Sequence, residues 1–257
     1  MNKKVQLPRI GIFLGILLIW QLAPTYHLIS PEVLSPFSQA VASLPQLNDP
    51  GNPEIPLGGL LPNILTTLYE IAIALIISTI LGITIGFCIG YYRRVGAVYE
   101  PFVYAVNAIP TIVLYPILYL ALGFGSESKI ALAVVTGAFP LIIISAAGIR
   151  QVKAGYVNLA RSVGASDRQI LTKVLLPAAG PNILSGIRLT LGSVVITVIV
   201  AEILASRAGL GTIIDNMAQN LQINEMYSAI IIVILIAYGA YILITEVEKR
   251  VLPYARK

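Results

Sequence analysis

From Ile64 to Tyr91 the chain runs for 28 residues with a single charged side chain, Glu70. As an α-helix that stretch is about 42 Å long, more than the ~30 Å hydrocarbon core of a bilayer, so it must tilt or project. Lipid cannot satisfy backbone N–H and C=O groups, so a segment this apolar can cross it only as a helix that satisfies them internally. Five further stretches read the same way, at Pro8–Leu28, Val98–Leu122, Lys129–Ile149, Ile183–Ala205 and Ser228–Val247. The first is the weakest, because Gln21 and Pro24 shorten its apolar run. Only 11% of the residues are charged, against about 25% in a soluble domain that must cover itself with solvated groups. The expected fold is an all-α membrane protein of six transmembrane helices.

Orientation follows from the cations. Lys3, Lys4 and Arg9 precede the first span, and Arg93 and Arg94 separate spans two and three. Arg150, Lys153, Arg161, Arg168 and Lys173 lie between spans four and five, and Lys249, Arg250, Arg256 and Lys257 follow the last. The opposite side holds Lys129 and Arg207, while Arg188 sits just inside span five, so fourteen of the 17 cations share one side. That bias places both termini in the cytoplasm. It also explains the basic balance without nucleic acid, since the cations are short groups beside apolar runs. Residues 1–257 read as one transmembrane domain: first helix and outer loop (1–63), core helices (64–247) and cytoplasmic tail (248–257). The outer loop Ser30–Pro62 has no Lys or Arg and many prolines, and reads as irregular surface structure. The basic start followed by Ile10–Trp20 has the outline of a secretory signal. Ala23-Pro24 suits cleavage poorly, so an uncleaved helix is expected.

Between spans four and five lies a patterned cytoplasmic segment, Gly155–Pro181. Tyr156, Leu159, Ala160 and Val163 recur at helical spacing, and Gly164 breaks that helix. Ser166-Asp167-Arg168-Gln169 has the form of a capping box, starting a second helix with Ile170, Val174 and Leu175 on one face and Pro177 at its end. Periodicity alone leaves this element equally suited to the membrane surface and to a protein partner.

Asn158-Leu159-Ala160, Gly164, then nine residues to Val174-Leu175-Leu176-Pro177, resembles the EAA loop of permeases in ATP-binding-cassette (ABC) importers, with spacing matched from Ala160 through Gly164 to Leu176-Pro177. Ile109-Pro110-Thr111, Tyr115-Pro116, Gly123-Phe124-Gly125, Ala201-Glu202, Gly209-Leu210-Gly211 and Glu248-Lys249-Arg250 resemble the branch importing taurine, other sulfonates and nitrate. The resemblance implies a type I importer fold and a loop at 155–177 that docks on a cytoplasmic ATPase through Asn158, Leu159, Ala160, Val163, Gly164, Ala165, Val174, Leu176 and Pro177. It also implies two ATPases, a soluble substrate-binding protein and a permease homodimer in the bilayer. Two departures stand out. Asn158 occupies the place of the motif's glutamate, which puts a salt-bridge account of coupling in doubt, and Glu70 stands where a basic residue is expected.

Within the spans, Gly82, Gly86 and Gly90 form a small-residue face, read first as packing against another span of the chain and second as a dimer interface. Asn107, Thr111 and Tyr115 on span three, and Thr190, Ser193 and Thr197 with Gly186 on span five, form polar stripes. These either bond between helices or line the translocation path. Glu202, costly in lipid, with Gly209 and Gly211, is a candidate for the outer gate. Its favoured role is a structural ion pair with Arg207 or a helix-end hydrogen bond. The stretch Gly209–Tyr227 reads as a short re-entrant or surface helix. His27 suits the interfacial belt, and Cys88, the single cysteine, a packing site.

An intramembrane enzyme is disfavoured: His-Glu-x-x-His and Gly-x-Ser-x-Gly patterns are absent, and one histidine and one cysteine offer no metal or catalytic cluster. A secondary transporter or channel would keep charges at midmembrane for coupling, and these spans nearly lack them. With no phosphate-binding Gly-x4-Gly-Lys-[Ser/Thr] loop, ATP hydrolysis is assigned to another chain, and no cofactor is expected. A membrane anchor or assembly factor is the remaining class. The cargo expected is a small anion, with an uncharged heterocycle such as a vitamin precursor as the alternative.

Overall fold

The computed structural model describes residues 3–49 and 52–251; Arg256 and Lys257 lie outside them. The helices are α1 (Lys3–Thr25), α2 (Phe37–Ala42), α3 (Leu60–Tyr91), α4 (Arg93–Asn107), α5 (Tyr115–Leu122), α6 (Ser126–Arg150), α7 (Ala154–Ser162), α8 (Asp167–Ile170), α9 (Leu176–Ala205), α10 (Leu210–Gln219) and α11 (Ile223–Val251). Among the described residues, four helical rods are long and apolar enough to cross a membrane: Leu60–Tyr91, Ser126–Arg150, Asp167–Ala205 and Ile223–Arg250. Their exposed large residues, such as Ile76, Ile80, Leu235 and Leu243, are the kind that lipid rather than water covers. The apolar part of α1 is shorter, Gly11–Thr25.

The chain forms two compact units. One holds the described residues up to Thr66 with Glu202–Leu235, the other Thr67–Ala201 with those from Ile236 onward.

In the second unit, α3 and α6 run side by side in the same direction. A Cβ at Gly82 would fall 2.6 Å from Leu141, at Gly86 2.6 Å from the Ile142 carbonyl, and at Gly90 2.8 Å from the Ala146 carbonyl. The glycine face therefore meets α6 of its own chain, backbone against backbone. Gly86→Ala gains at most ~1 kcal/mol in helix propensity and loses about 1–3 kcal/mol to overpacking. Its expected result is a lower melting temperature of the purified chain in detergent. The opposite end of this helix pair is fixed by charge. Lys129 and Glu70 are both buried and meet at 2.5 Å, with Ser126 Oγ donating to Glu70 Oε1 at 2.7 Å.

Because α3 and α6 are parallel, the chain between them must return to the starting side. It does so through α4 and α5, which are bent by 83° at the break between Asn107 and Thr111. The continuous span expected over Val98–Leu122 is thus corrected to a broken one. Pro110 explains the break: it lacks an N–H and disfavours helical geometry at Ile109, and its own backbone is extended (φ −62°, ψ 99°). α9 returns antiparallel to α6, with Gly137 against Thr190 and Val194, and Gly148 against Asn182. Leu191, Val194, Val195 and Val198 of α9 form a core with Ile71, Ala74 and Ala133. Arg188 pairs with Glu248 of α11.

In the first unit the proline-rich segment after α1 is ordered by polar contacts. Trp20 Nε1 donates to the Ser35 carbonyl at 2.9 Å, Ser35 Oγ to Asn224 at 2.6 Å, and Tyr227 to the Val33 carbonyl at 3.0 Å. Trp20 also packs edge-on against Phe37, ring centres 5.3 Å apart.

A candidate coupling loop, a polar cavity and a capped helix corner

The candidate coupling loop follows the C-terminal end of α6. α7 ends in a Schellman turn: the Ala165 N–H donates to the Ala160 carbonyl and the Gly164 N–H to the Arg161 carbonyl, both at 3.0 Å. This closure needs a left-handed residue at its centre, and Gly164 has φ +78°. The capping box follows: Ser166 N–H donates to Gln169 Oε1 at 2.8 Å and the Gln169 N–H to Ser166 Oγ at 3.4 Å. The second helix does not stop at Pro177. It passes through a π-turn, Leu171–Leu175, and continues without interruption to Ala205. A proline inside an α-helix clashes with the carbonyl four residues back; the π-turn immediately before Pro177 is the kind of wider turn that relieves this conflict.

The inward faces of these helices, including Val157, Ala160, Ala165 and Leu176, pack on Ile149, Ile170, Leu175, Ala179 and Ile183. The outward face is also apolar: Tyr156, Leu159 (65% exposed) and Val163 (77% exposed). With Ala160 on one side and Val174 and Pro177 on the other, they border an open groove of about 590 Å³, with Lys173 at its edge. Asn158 is exposed beside it. An exposed apolar groove on a loop that already has its own core marks an interaction surface. One tether holds the loop to the spans, Tyr91 donating to Asp167 at 3.2 Å, and at the same end Arg150 of α6 grips Glu100 of α4 with both guanidinium nitrogens at 3.0 and 2.7 Å.

The two polar stripes fare differently. Asn107, Thr111 and Ser193 border a cavity of about 190 Å³ with Thr136 and Phe139, polar and roomy enough to hold water. Thr111 and Thr136 hydroxyls are 2.8 Å apart. Tyr115, Thr190 and Thr197 are buried away from it. Thr190 donates to the Gly137 carbonyl at 3.2 Å and Thr197 to the Ser193 carbonyl at 2.8 Å. The i, i+4, i+8 spacing of Asn107, Thr111 and Tyr115 presupposed an unbroken helix; the bend at Pro110 separates Tyr115 from the other two.

At the corner between α9 and α10, the buried Glu202 accepts from the Gly211 N–H at 2.7 Å through Oε2. This satisfies one of the orphan donors at the start of α10 with a carboxylate, the favourable sign for a helix N-terminus. Gly209 (φ +115°) lies so close that a Cβ would strike the carboxylate. Sequence reasoning missed Asn63, which is buried and holds the same corner. Its amide donates to the Pro56 and Gly59 carbonyls at 2.5 and 2.7 Å, while Oδ1 accepts from the Gly209 N–H at 2.8 Å. The only hint was an amide beside Pro62 at the mouth of an apolar run.

The fold is thus that of a multi-span helical membrane protein with a cored, groove-bearing loop at one end of its spans. Residues 78–253 match the family model of the binding-protein-dependent transport system inner membrane component, and the chain belongs to that family. It is 28% identical over 245 residues to the taurine transport system permease protein of Escherichia coli (95% of this chain, 88% of that one). It is 32% identical to the putative aliphatic sulfonates transport permease protein of Bacillus subtilis (90% and 83% covered), and 30% identical to the bicarbonate transport system permease protein of Synechococcus elongatus (88% and 82%). Among solved structures, an inward-facing methionine ABC transporter superposes with TM-score 0.62 at 21% identity, covering 77% of this chain and 96% of that one. The chain is therefore a multi-pass inner-membrane permease subunit of an ABC importer. It is not an enzyme; its partners are an ATPase that hydrolyses ATP and a substrate-binding protein.

Proposed function

We propose that two copies of this chain, in a six-span arrangement with cytoplasmic termini, pair with two ATPases and import a small sulfonate, taurine or nitrate-like anion released by the binding protein. The exposed groove between α7 and the Val174–Pro177 turn carries this reading, because it gives a separate motor an apolar seat. Arg93, Arg94, Arg150 and Arg161 belong to the same end of the second unit as the loop, in keeping with a cytoplasmic placement. ATP-driven closure of the motor would move the loop and open the path by alternating access. The cavity at Asn107, Thr111 and Ser193 supplies the path: neutral amide and hydroxyl donors hold an anion weakly enough to release it. The cargo follows the relatives that carry taurine and sulfonates. The absence of a charged side chain around the cavity favours an uncharged cargo as the second reading.

Co-expression with the cognate ATPase and binding protein, followed by uptake in proteoliposomes, tests the whole. Taurine or an alkanesulfonate should accumulate only with ATP; failure of every anion while a neutral heterocycle accumulates would select the second reading. For the path, Thr111→Cys and Ser193→Cys in a Cys88→Ala background should react with hydrophilic thiol reagents, with substrate slowing the reaction severalfold. Thr190→Cys should stay unreactive. Equal protection of all three thiols in every nucleotide state would remove the cavity from the path.

A further inference from the structure

Beyond this function, we propose that the groove between α3, α4 and α6 is a binding site for an anionic phospholipid, one acyl chain in the groove and the headgroup against Arg93 and Arg94. The groove holds about 320 Å³ and its walls are apolar, among them Ile85, Cys88, Tyr99, Phe102, Val106 and Phe139. It follows α4 from Val95 to Val106, about 16 Å at 1.5 Å per residue. One leaflet is half of a ~30 Å core, so the groove matches the reach of a single acyl chain. Its start adjoins Arg93 and Arg94, both exposed. Among the described residues neither is paired with a carboxylate, and the one acid of α4, Glu100, is taken by Arg150 in a two-pronged ion pair. Tyr92 and Tyr99 are exposed at the same end, as interfacial aromatics are. Basic sites beside apolar clefts on the cytoplasmic side select anionic headgroups. A second copy fits less well, since a two-fold contact sets a surface against itself and would bring like-charged arginine pairs together.

The test uses the full-length chain in vesicles of phosphatidylcholine with increasing phosphatidylglycerol. Phe102→Trp, at the exposed rim of the groove, serves as a reporter quenched by brominated acyl chains, with the quenching of Trp20 measured on the parent chain in the same vesicles and subtracted. Each arginine near the surface favours an anionic lipid about fivefold, so brominated phosphatidylglycerol should quench at a mole fraction roughly thirtyfold below brominated phosphatidylcholine. Arg93→Gln with Arg94→Gln should abolish that preference and leave phosphatidylcholine quenching unchanged. Equal quenching by the two lipids on the reporter with both arginines would overturn the proposal. So would an absence of quenching by either lipid, and oxidative Cys88–Cys88 linkage between copies would then assign the groove to a second chain. If Phe102→Trp fails to fold, native mass spectrometry of the unmodified chain decides: retained phosphatidylglycerol supports the site, and no preference over phosphatidylcholine overturns it.

Discussion

Gly164→Pro is expected to abolish transport while the chain still inserts and accumulates in the membrane. At φ +78° the position lies in the left-handed region, and proline holds φ near −65°. Proline also lacks the N–H that Gly164 donates to the Arg161 carbonyl, so the Schellman closure of α7 is lost. The groove has one wall on α7 and the other after residue 172, and Gly164 sets the angle between them. Losing that angle removes the seat proposed for the ATPase without touching a span. Gly164→Ala, with a penalty of ~1–2 kcal/mol for a left-handed non-glycine residue, should retain part of the activity. Three measurements check this: binding-protein-stimulated ATP hydrolysis by the reconstituted complex, retention of the ATPase on the purified permease, and membrane level. Wild-type turnover by the proline variant would end the coupling role of the loop.

The second large effect is on stability. Glu70→Leu leaves Lys129 buried without its 2.5 Å carboxylate partner, and breaking a buried pair from one side costs about 3–5 kcal/mol. Replacing both members with apolar residues of similar volume is often neutral or stabilising. Glu70→Leu should therefore melt well below the parent in detergent, and Glu70→Leu with Lys129→Met should recover most of the loss. A single variant as stable as the parent would show that the pair contributes nothing to joining α3 and α6. The same pair accounts for the unexpected acid on span two: with Lys129 beside it, Glu70 adds no net charge.

What was legible in the sequence was local or periodic. Gly164 and the Ser166–Gln169 box announced the end of one helix and the start of the next because each relies on partners within five residues. Long apolar runs announced spans because a bilayer leaves them no other fold. The failures were tertiary. Val98–Leu122 is apolar enough throughout to pass for one rod, and composition does not register that Pro110 bends it by 83°. Pro177 looked like a stop because the π-turn that accommodates it has no sequence signature. Glu70 and Lys129 are 59 positions apart, and nothing local joins them. Asn63 was passed over because a lone amide at a helix mouth is unremarkable until the carbonyls of Pro56 and Gly59 arrive beside it.

The unbroken course from Asp167 to Ala205 has a mechanical corollary. Lys173 at the rim of the groove and Ser193 at the cavity stand on a single shaft, about 30 Å apart along its axis, with no break in the helix between them. A shaft answers a shove at one end by sliding, tilting or rolling, so displacement of the handle reaches the cavity less whatever the shaft itself yields. Its most compliant stretch is the π-turn with Pro177 and Pro181 just beyond, where backbone hydrogen bonds are missing. Lost motion between motor and pore would begin there, and a variant that spins its ATPase without moving cargo is most readily sought among residues 171–181.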